Sequence, residues 1–254
     1  MTDIAPSLRA LLTGLIDYAG LYPPAALPLP EVAEEYAAYR ASPHGWMLNR
    51  VVLPAAKLAD APVDDGWRIS LLVESEPGPL PPAVETLETR LPHRLSLPTY
   101  CEVPPEKVTG AFAKVRTGGL TPDAIPSTES IASFLAYTAQ RRIPFKATAG
   151  LHHPLRSLRP LTYAADSPRA VMHGFLNVFV AAVFAWHGED ELLEDILRDE
   201  DPRAFEFAGE ELAWHGHRLA CAQIQTARRD FAHSFGSCSF EEPVADLREL
   251  GYLP

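Results

Sequence analysis

The sequence predicts one α/β domain, a (β/α)8 barrel of the TIM type with extra helices in its C-terminal half. Its 254 residues match the roughly 250 that such a barrel requires. Short apolar segments alternate with helical patterns, which is typical of parallel strands joined by crossovers. Eight candidate strands over this length favour a closed barrel over an open sheet. We therefore expect residues 1–254 to form a single domain, with a helical insertion around 155–200.

The strands are predicted where short apolar runs are closed by proline, glycine or polar residues. They are 14–21, 47–53, 67–73, 99–103, 111–116, 144–148, 203–207 and 235–240. Helices are predicted at 29–41, 82–90, 127–140, 168–188, 189–197, 210–231 and 241–250. In such a barrel the carboxyl ends of all strands lie on one face, where the active sites of this fold are found.

The composition predicts a cytoplasmic protein without a nucleic-acid or membrane partner. The net charge is −11, so the chain lacks the basic footprint of a nucleic-acid binder. Three cysteines lie in no C-x-x-C motif and the N-terminus has no basic export signal, which indicates reduced thiols in the cytoplasm. The longest apolar run, 175–186, is shorter than the roughly 20 residues that span a bilayer. It is predicted to be a buried or interface helix and would suit the surface of a homo-oligomer.

Lysine is rare in this chain, and its positions are informative. Among 22 basic residues only four are lysine: Lys57, Lys107, Lys114 and Lys146. Lys114 and Lys146 fall inside apolar, strand-like runs. A preference for arginine codons explains most of the bias. A lysine in an apolar setting nevertheless has a property that arginine lacks, because its amine can lose the proton.

The first candidate motif follows the predicted strand 111–116. Lys114 and Arg116 are followed by Thr117, Gly118 and Gly119. The glycines allow backbone N–H groups to approach an anion, and Arg116 is suited to a carboxylate or phosphate. These five residues are candidates for catalysis and substrate binding. The alternative is a strand that ends in a glycine turn, with Arg116 in a structural ion pair.

The second candidate motif follows the predicted strand 144–148. Lys146 is flanked by apolar residues, and Gly150, His152 and His153 come next. Burial or a neighbouring cation lowers the pKa of a lysine from about 10.4 towards neutrality. Such an amine forms a Schiff base with a carbonyl compound. Two lysines on neighbouring strands would provide such an amine: one would attack the carbonyl compound, and the charge of the other would keep the first deprotonated. The alternative is a Lys146 held by a salt bridge to Asp17 or Glu102.

The order of these motifs resembles the class I deoxyribose-phosphate aldolases. That family carries two strand-end lysines, in K-T-S-T-G-F and K-A-S-G-G-I; this chain has K-V-R-T-G-G and K-A-T-A-G-L, with the lysines 32 positions apart. The segment I-D-Y-A-G-L, followed by two prolines, is similar to the family's opening I-D-H-T-L-L. V-V-L-P-A is similar to its V-N-P, and F-G-S-C-S is similar to its phosphate-binding G-T-S-S. The matches occur in the family's order over about half of the chain.

The resemblance implies an aldolase-like lyase that acts on a small carbonyl substrate without a cofactor or metal. Lys114 would form the Schiff base, Lys146 would tune its pKa, and Asp17 would belong to a proton relay. The family's aspartate on a central strand has Glu102 as its nearest candidate. Gly236, Ser237 and Ser239 would help to bind the substrate. Two features depart from the family: Arg116 replaces a small residue, and the two histidines replace residues that bind a phosphate.

Two other classes of function stay open. A metal-dependent lyase, isomerase or hydrolase on the same barrel would use Glu102, one of the two histidines and a further ligand such as Glu241. A barrel that has lost its proton relay would serve as a binding or assembly subunit. A stoichiometric metal found by elemental analysis would favour the first class. A strongly lowered pKa of Lys146 would argue against the second.

Overall fold

The computed structural model describes residues 4–64 and 66–254. The predicted domain 1–254 therefore includes positions, 1–3 and 65, that lie outside the described residues. The strands are β1 (Ile16–Tyr18), β2 (Leu48–Pro54), β3 (Ile69–Leu72), β4 (Val84–Thr89), β5 (Thr99–Cys101), β6 (Phe112–Arg116), β7 (Phe145–Thr148), β8 (Ser157–Pro160), β9 (Arg169–Met172), β10 (Phe205–Ala208), β11 (Glu211–Trp214), β12 (His217–Ala220) and β13 (Ala232–Ser237). The helices are α1 (Pro6–Leu12), α2 (Leu29–Ala41), α3 (Thr128–Gln140), α4 (Phe175–Trp186), α5 (Leu193–Arg198), α6 (Cys221–Asp230) and α7 (Glu241–Glu249).

Eight of the strands close into a barrel in which every pair is parallel. The order around the barrel is β1-β2-β3-β4-β5-β6-β7-β13, and β13 pairs with β1. The TIM-type α/β barrel is therefore confirmed. Because the strands are parallel, their carboxyl ends share one face, and Lys114 of β6 lies in register with Lys146 of β7.

The predicted number of barrel strands, eight, is correct only because two errors cancel. One barrel strand was predicted to be a helix, and one strand outside the barrel was counted in its place. Residues 82–90, predicted to be a helix, form β4, a barrel strand that is mostly buried. A parallel strand covered on both sides lacks the alternation that identifies a half-exposed strand. The predicted strand 203–207 overlaps β10, which pairs with β11 in an antiparallel sheet outside the barrel.

The predicted helix 210–231 is wrong in its first half. Residues His215 and Gly216 both have positive φ, and they connect β11 to β12 as a tight hairpin. Helix α6 begins only at Cys221. The last barrel strand, predicted at 235–240, begins earlier, at Ala232.

The region 155–200 contains an antiparallel hairpin before its helices. Strands β8 and β9 pair with each other, so the helix predicted at 168–188 begins only at Phe175. Every residue of α4 from Phe175 to Ala185 is buried, because α4 packs against α3, α5, α6 and β13. The interpretation that this helix forms an oligomer surface is therefore wrong. In the part of the chain that the structure describes, no helix has the length and hydrophobicity needed to cross a membrane.

Candidate active site

A cavity of about 760 Å³ opens at the carboxyl ends of the barrel strands, and we call it the upper cavity. Its lining includes seven of the predicted site residues: Glu102, Lys114, Arg116, Gly119, Gly150, His152 and Gly236. Leu161 and Met172, from the β8–β9 hairpin, cover one side. The site therefore lies where barrel enzymes place their chemistry.

Five charged side chains form a continuous chain of ion pairs at the floor of this cavity, and we call it the lysine cluster. Lys146 Nζ lies 2.5 Å from Asp17 Oδ2 and 2.5 Å from Glu88 Oε1. Lys114 Nζ lies 2.9 Å from Glu88 Oε2 and 2.9 Å from Glu102 Oε2. The two amines thus share one carboxylate. Lys114 lines the cavity with 6% of its side chain exposed, whereas Lys146 lies beneath it with 1% exposed.

Glu88 is the central residue of the cluster, and the sequence analysis did not identify it. It stands at the end of β4, the strand that was predicted to be a helix. Its Oε1 also accepts a hydrogen bond of 2.6 Å from Ser70 on β3. Glu88 is the carboxylate that contacts both lysines, whereas Glu102 contacts only Lys114. A signal was available in V-E-T-L-E-T, whose length between two proline-containing segments also fits a barrel strand.

Asp17 is buried and accepts hydrogen bonds through both of its carboxylate oxygens. Its Oδ2 accepts hydrogen bonds from Lys146 and, over 2.7 Å, from the hydroxyl of Ser234. Its Oδ1 accepts the backbone N–H of Arg50 over 3.2 Å. These contacts come from three neighbouring barrel strands, so the carboxylate is fixed in position. The salt bridge between Lys146 and Asp17, named above as the alternative interpretation, is present.

The electrostatics of the cluster favour a protonated Lys146. Burial lowers its pKa, but Asp17 and Glu88 outweigh burial and raise it above the ordinary value. Burial raises the pKa of Glu88, and the charges of Lys114 and Lys146 reverse this and lower it. The pKa of Glu102 is lowered in the same way by Lys114 and Arg116. Lys146 therefore keeps its proton at neutral pH, as a cation beside Lys114 must, and Glu88 lies between the two amines.

Arg116 and Thr117 make structural contacts at the rim. Arg116 donates from Nε and Nη2 to Glu102 Oε1 over 3.0 and 2.9 Å, and 47% of its side chain remains exposed. The structural ion pair considered above is therefore present, and Arg116 holds Glu102 against Lys114. Thr117 is buried and its hydroxyl donates to the carbonyl of Ala149, which joins the ends of β6 and β7.

Gly118 and Gly150 permit a close approach of two backbone segments at the same place. A Cβ on Gly150 would lie 2.8 Å from the Cα of Gly118, and Gly150 has φ of +80°. We expect Gly150→Ala to lower the free energy of unfolding, measured in urea, by more than Gly110→Ala. Gly110 has φ of +61°, but a Cβ added there would have no atom within 4 Å. Gly110→Ala therefore measures only the cost of a left-handed backbone, about 1–2 kcal/mol. Equal costs would show that the contact of Gly118 with Gly150 adds nothing.

The two histidines point to different partners, as expected of adjacent residues in an extended chain. His152 lines the upper cavity, and its Nδ1 lies 3.0 Å from Glu242 Oε2. His153 contacts the same helix, α7, one turn further along, where its Nδ1 lies 2.6 Å from Asp246 Oδ2. His153 therefore does not belong to the cavity wall, which corrects its assignment as a substrate-binding residue.

The predicted anion-binding segment 236–239 is only partly at the cavity. Gly236 lines it, and so does Cys238, which was not predicted to be a site residue. Ser237 is buried, and its hydroxyl accepts the backbone N–H of Ser239. The hydroxyl of Ser239 accepts the N–H of Glu242 in α7. Ser237 and Ser239 thus support the loop and do not face the cavity.

The metal-dependent alternative finds no ligand set in the described ranges 4–64 and 66–254. No group of three or more His, Cys, Asp or Glu side chains there is arranged to hold a metal ion. Comparison of the chain with protein-family models, with curated proteins and with solved structures gives no match. The structure establishes the closed parallel barrel, and the resemblance to one aldolase family continues to depend on the motifs quoted above.

Proposed function

We propose that the protein is a Schiff-base-forming lyase of the aldolase type, with Lys114 as the nucleophile and a small carbonyl compound as the substrate. One observation carries this proposal. Lys114 is the amine at the floor of the upper cavity, and it lies between two carboxylates with the buried Lys146 below. A carbonyl carbon in the cavity would meet Lys114 before it met Lys146.

The charge balance of the cluster supports an iminium ion at Lys114. Counted with Arg116, three cations face three carboxylates. Loss of the Lys114 proton leaves the site one positive charge short, and a protonated Schiff base restores that charge at the same nitrogen. The carboxylates on either side of Lys114 stabilise the iminium ion once it forms, as preorganised charges do for a developing charge.

Glu102 is the group best placed to move the protons of the reaction. It contacts Lys114, and 18% of its side chain is exposed, so it can exchange protons with water. In the proposed step it accepts the Lys114 proton as the amine attacks the carbonyl carbon. It returns the proton to the carbinolamine hydroxyl, which leaves as water. The β-hydroxyl group of the bound substrate then gives its proton to Glu102, the iminium ion accepts the electron pair of the breaking carbon–carbon bond, and an enamine and a released carbonyl compound result.

The cavity wall favours a substrate with an anionic group. Arg116 stands at the rim with much of its side chain exposed. Burial lowers the pKa of His152, but hydrogen bonds with Cys238 and Glu242 outweigh burial and raise it to about 9. His152 is therefore charged at neutral pH. Arg116, the more exposed of these two cations, would bind a carboxylate or phosphate distant from the carbonyl.

Borohydride reduction in the presence of small aldehydes, ketones and keto acids tests the proposal directly. We expect a stable adduct on Lys114, located by mass spectrometry of peptides, and no adduct on this peptide in Lys114→Met. Lys107→Met, at an exposed position, is the matched control and should retain the adduct. The absence of an adduct across a broad panel, or adducts confined to Lys57 and Lys107, would refute the assignment.

A binding barrel without catalysis is the second candidate. The raised pKa of Lys146 and the balanced charges are also what a structural ion-pair network contains. In that case an anionic carbonyl compound would bind, with heat released in calorimetric titration, but borohydride would trap nothing. A metal-dependent reaction stays a separate prediction, which elemental analysis of the purified protein tests.

A further inference from the structure

Cys238 is a second nucleophile in the upper cavity, and the lysine chemistry does not use it. It follows β13, and its Sγ lies 3.7 Å from the hydroxyl of Tyr163 and 4.0 Å from Nδ1 of His152. The same Nδ1 lies 3.0 Å from a carboxylate oxygen of Glu242 in α7. A thiol, an imidazole, a phenol and a carboxylate, from separate segments of the chain, thus meet at one wall.

This surrounding favours a thiolate paired with an imidazolium ion. Burial raises the pKa of Cys238, but the hydrogen bond and charge of His152 outweigh it and lower the pKa below that of an ordinary thiol. The ionisable groups that face the sulfur are His152, Tyr163 and Tyr18, with Glu242 behind His152. Burial and the neighbouring Cys238 raise the pKa of Tyr163, so its hydroxyl keeps its proton and can donate it.

The other two cysteines lie in different surroundings. Burial raises the pKa of Cys101 to about 11, and its thiol donates to the carbonyl of His93. Burial also raises the pKa of Cys221, whose thiol donates to the carbonyl of Pro6. Both should therefore be protonated and slow to react at neutral pH. They are internal controls within the same chain.

We propose that Cys238 is a modification site for hydrogen peroxide, which oxidises the Cys238 thiolate, held at the cavity wall by His152 and Tyr163, to a sulfenic acid. The sulfur attacks one peroxide oxygen, a sulfur–oxygen bond forms and the oxygen–oxygen bond breaks. The leaving oxygen takes the His152 proton and departs as water. The sulfur loses two electrons and the peroxide gains them.

The geometry explains why a small, uncharged oxidant suits this site. Only 5% of Cys238 is exposed, and this surface opens into the cavity, so a large thiol or disulfide would reach the sulfur poorly. Imidazolium and phenol are both placed to protonate or hydrogen-bond the leaving oxygen. Oxidation would replace a charged sulfur beside His152 with a neutral group that carries one more oxygen. This proposal does not depend on Schiff-base formation at Lys114.

The test treats the reduced, full-length protein with hydrogen peroxide at neutral pH, traps sulfenic acid with dimedone and maps the product by mass spectrometry. We expect dimedone on Cys238 and none on Cys101 or Cys221. A parallel reaction with iodoacetamide should alkylate Cys238 at least about tenfold faster than either other cysteine, since one pKa unit is a tenfold change in thiolate fraction.

His152→Asn removes the imidazolium ion and should slow both reactions of Cys238 about tenfold or more. His153→Asn, the adjacent histidine that faces Asp246, is the matched control and should leave both rates unchanged. If Cys101 or Cys221 reacts as fast as Cys238 in the native protein, the proposal is wrong. This comparison within the unmutated chain remains decisive if the His152 variant fails to fold. An unchanged rate in a folded His152→Asn would also overturn it.

Discussion

Replacing Lys146 with methionine is expected to lower the free energy of unfolding by about 3–5 kcal/mol, the usual cost of removing one partner from a buried ion pair. Asp17 and Glu88 are each less than 3% exposed and would lose the cation between them. Hydrogen bonds from Ser70 and Ser234 cannot replace that charge. Urea denaturation, followed by circular dichroism, measures the loss.

Lys107→Met is the matched control, because it makes the same chemical change at an exposed position and should cost under about 1 kcal/mol. The double variant Asp17→Asn, Lys146→Met should be more stable than Lys146→Met alone, since it removes the carboxylate that loses its cation, whereas Glu88 keeps its ion pair with Lys114. A cost for Lys146→Met no greater than that of Lys107→Met would show that the cluster does not contribute the predicted stability.

The pKa shifts of Lys146 and Glu88 predict how the stability that the cluster contributes changes with pH. The pKa of Lys146 is raised, so its contribution is fully present below the unfolded value of about 10.4 and is lost as pH rises through the folded value. The pKa of Glu88 is lowered, so its contribution is present above about 4.3 and is lost as pH falls through the folded value. In Lys146→Met the buried carboxylates favour protonation. The stability difference from the unmutated protein should therefore shrink as pH falls from neutral towards 4.3.

The positions of Lys114 and Lys146 could be predicted because local signals surround them. Short apolar runs, closed by Gly118 and Gly119 in one case and begun by Pro144 in the other, identify β6 and β7 without knowledge of the rest of the fold. Register between neighbouring parallel strands then places Lys114 beside Lys146. This part of the site follows from pattern and topology alone.

Glu88 and Cys238 could not be predicted by the same reasoning. Glu85 and Glu88 are three residues apart, which imitates the exposed face of a helix, but Glu88 is buried against the lysines and Glu85 pairs with Arg50. The pairing of Cys238 with Tyr163 joins residues 75 positions apart, through a hairpin in a region predicted to be helical. Both omissions concern contacts that depend on distant segments. For the same reason, the sequence alone could not show that Glu88 helps to raise the pKa of Lys146.

Glu102→Gln is expected to slow the formation of the borohydride-trapped adduct about 10²–10⁴-fold, the usual contribution of a positioned acid or base. Glutamine retains the shape and the hydrogen bond from Arg116, but it can neither accept the Lys114 proton nor return it to the carbinolamine. Glu74→Gln is the matched control, because Glu74 lines the same cavity, and its adduct should form at the unmutated rate. The measurement is the initial rate of adduct formation at saturating carbonyl compound. If Glu102→Gln forms the adduct as fast as Glu74→Gln, Glu88 or water must carry the proton, and Glu102 serves only to hold Lys114 and Arg116 in place.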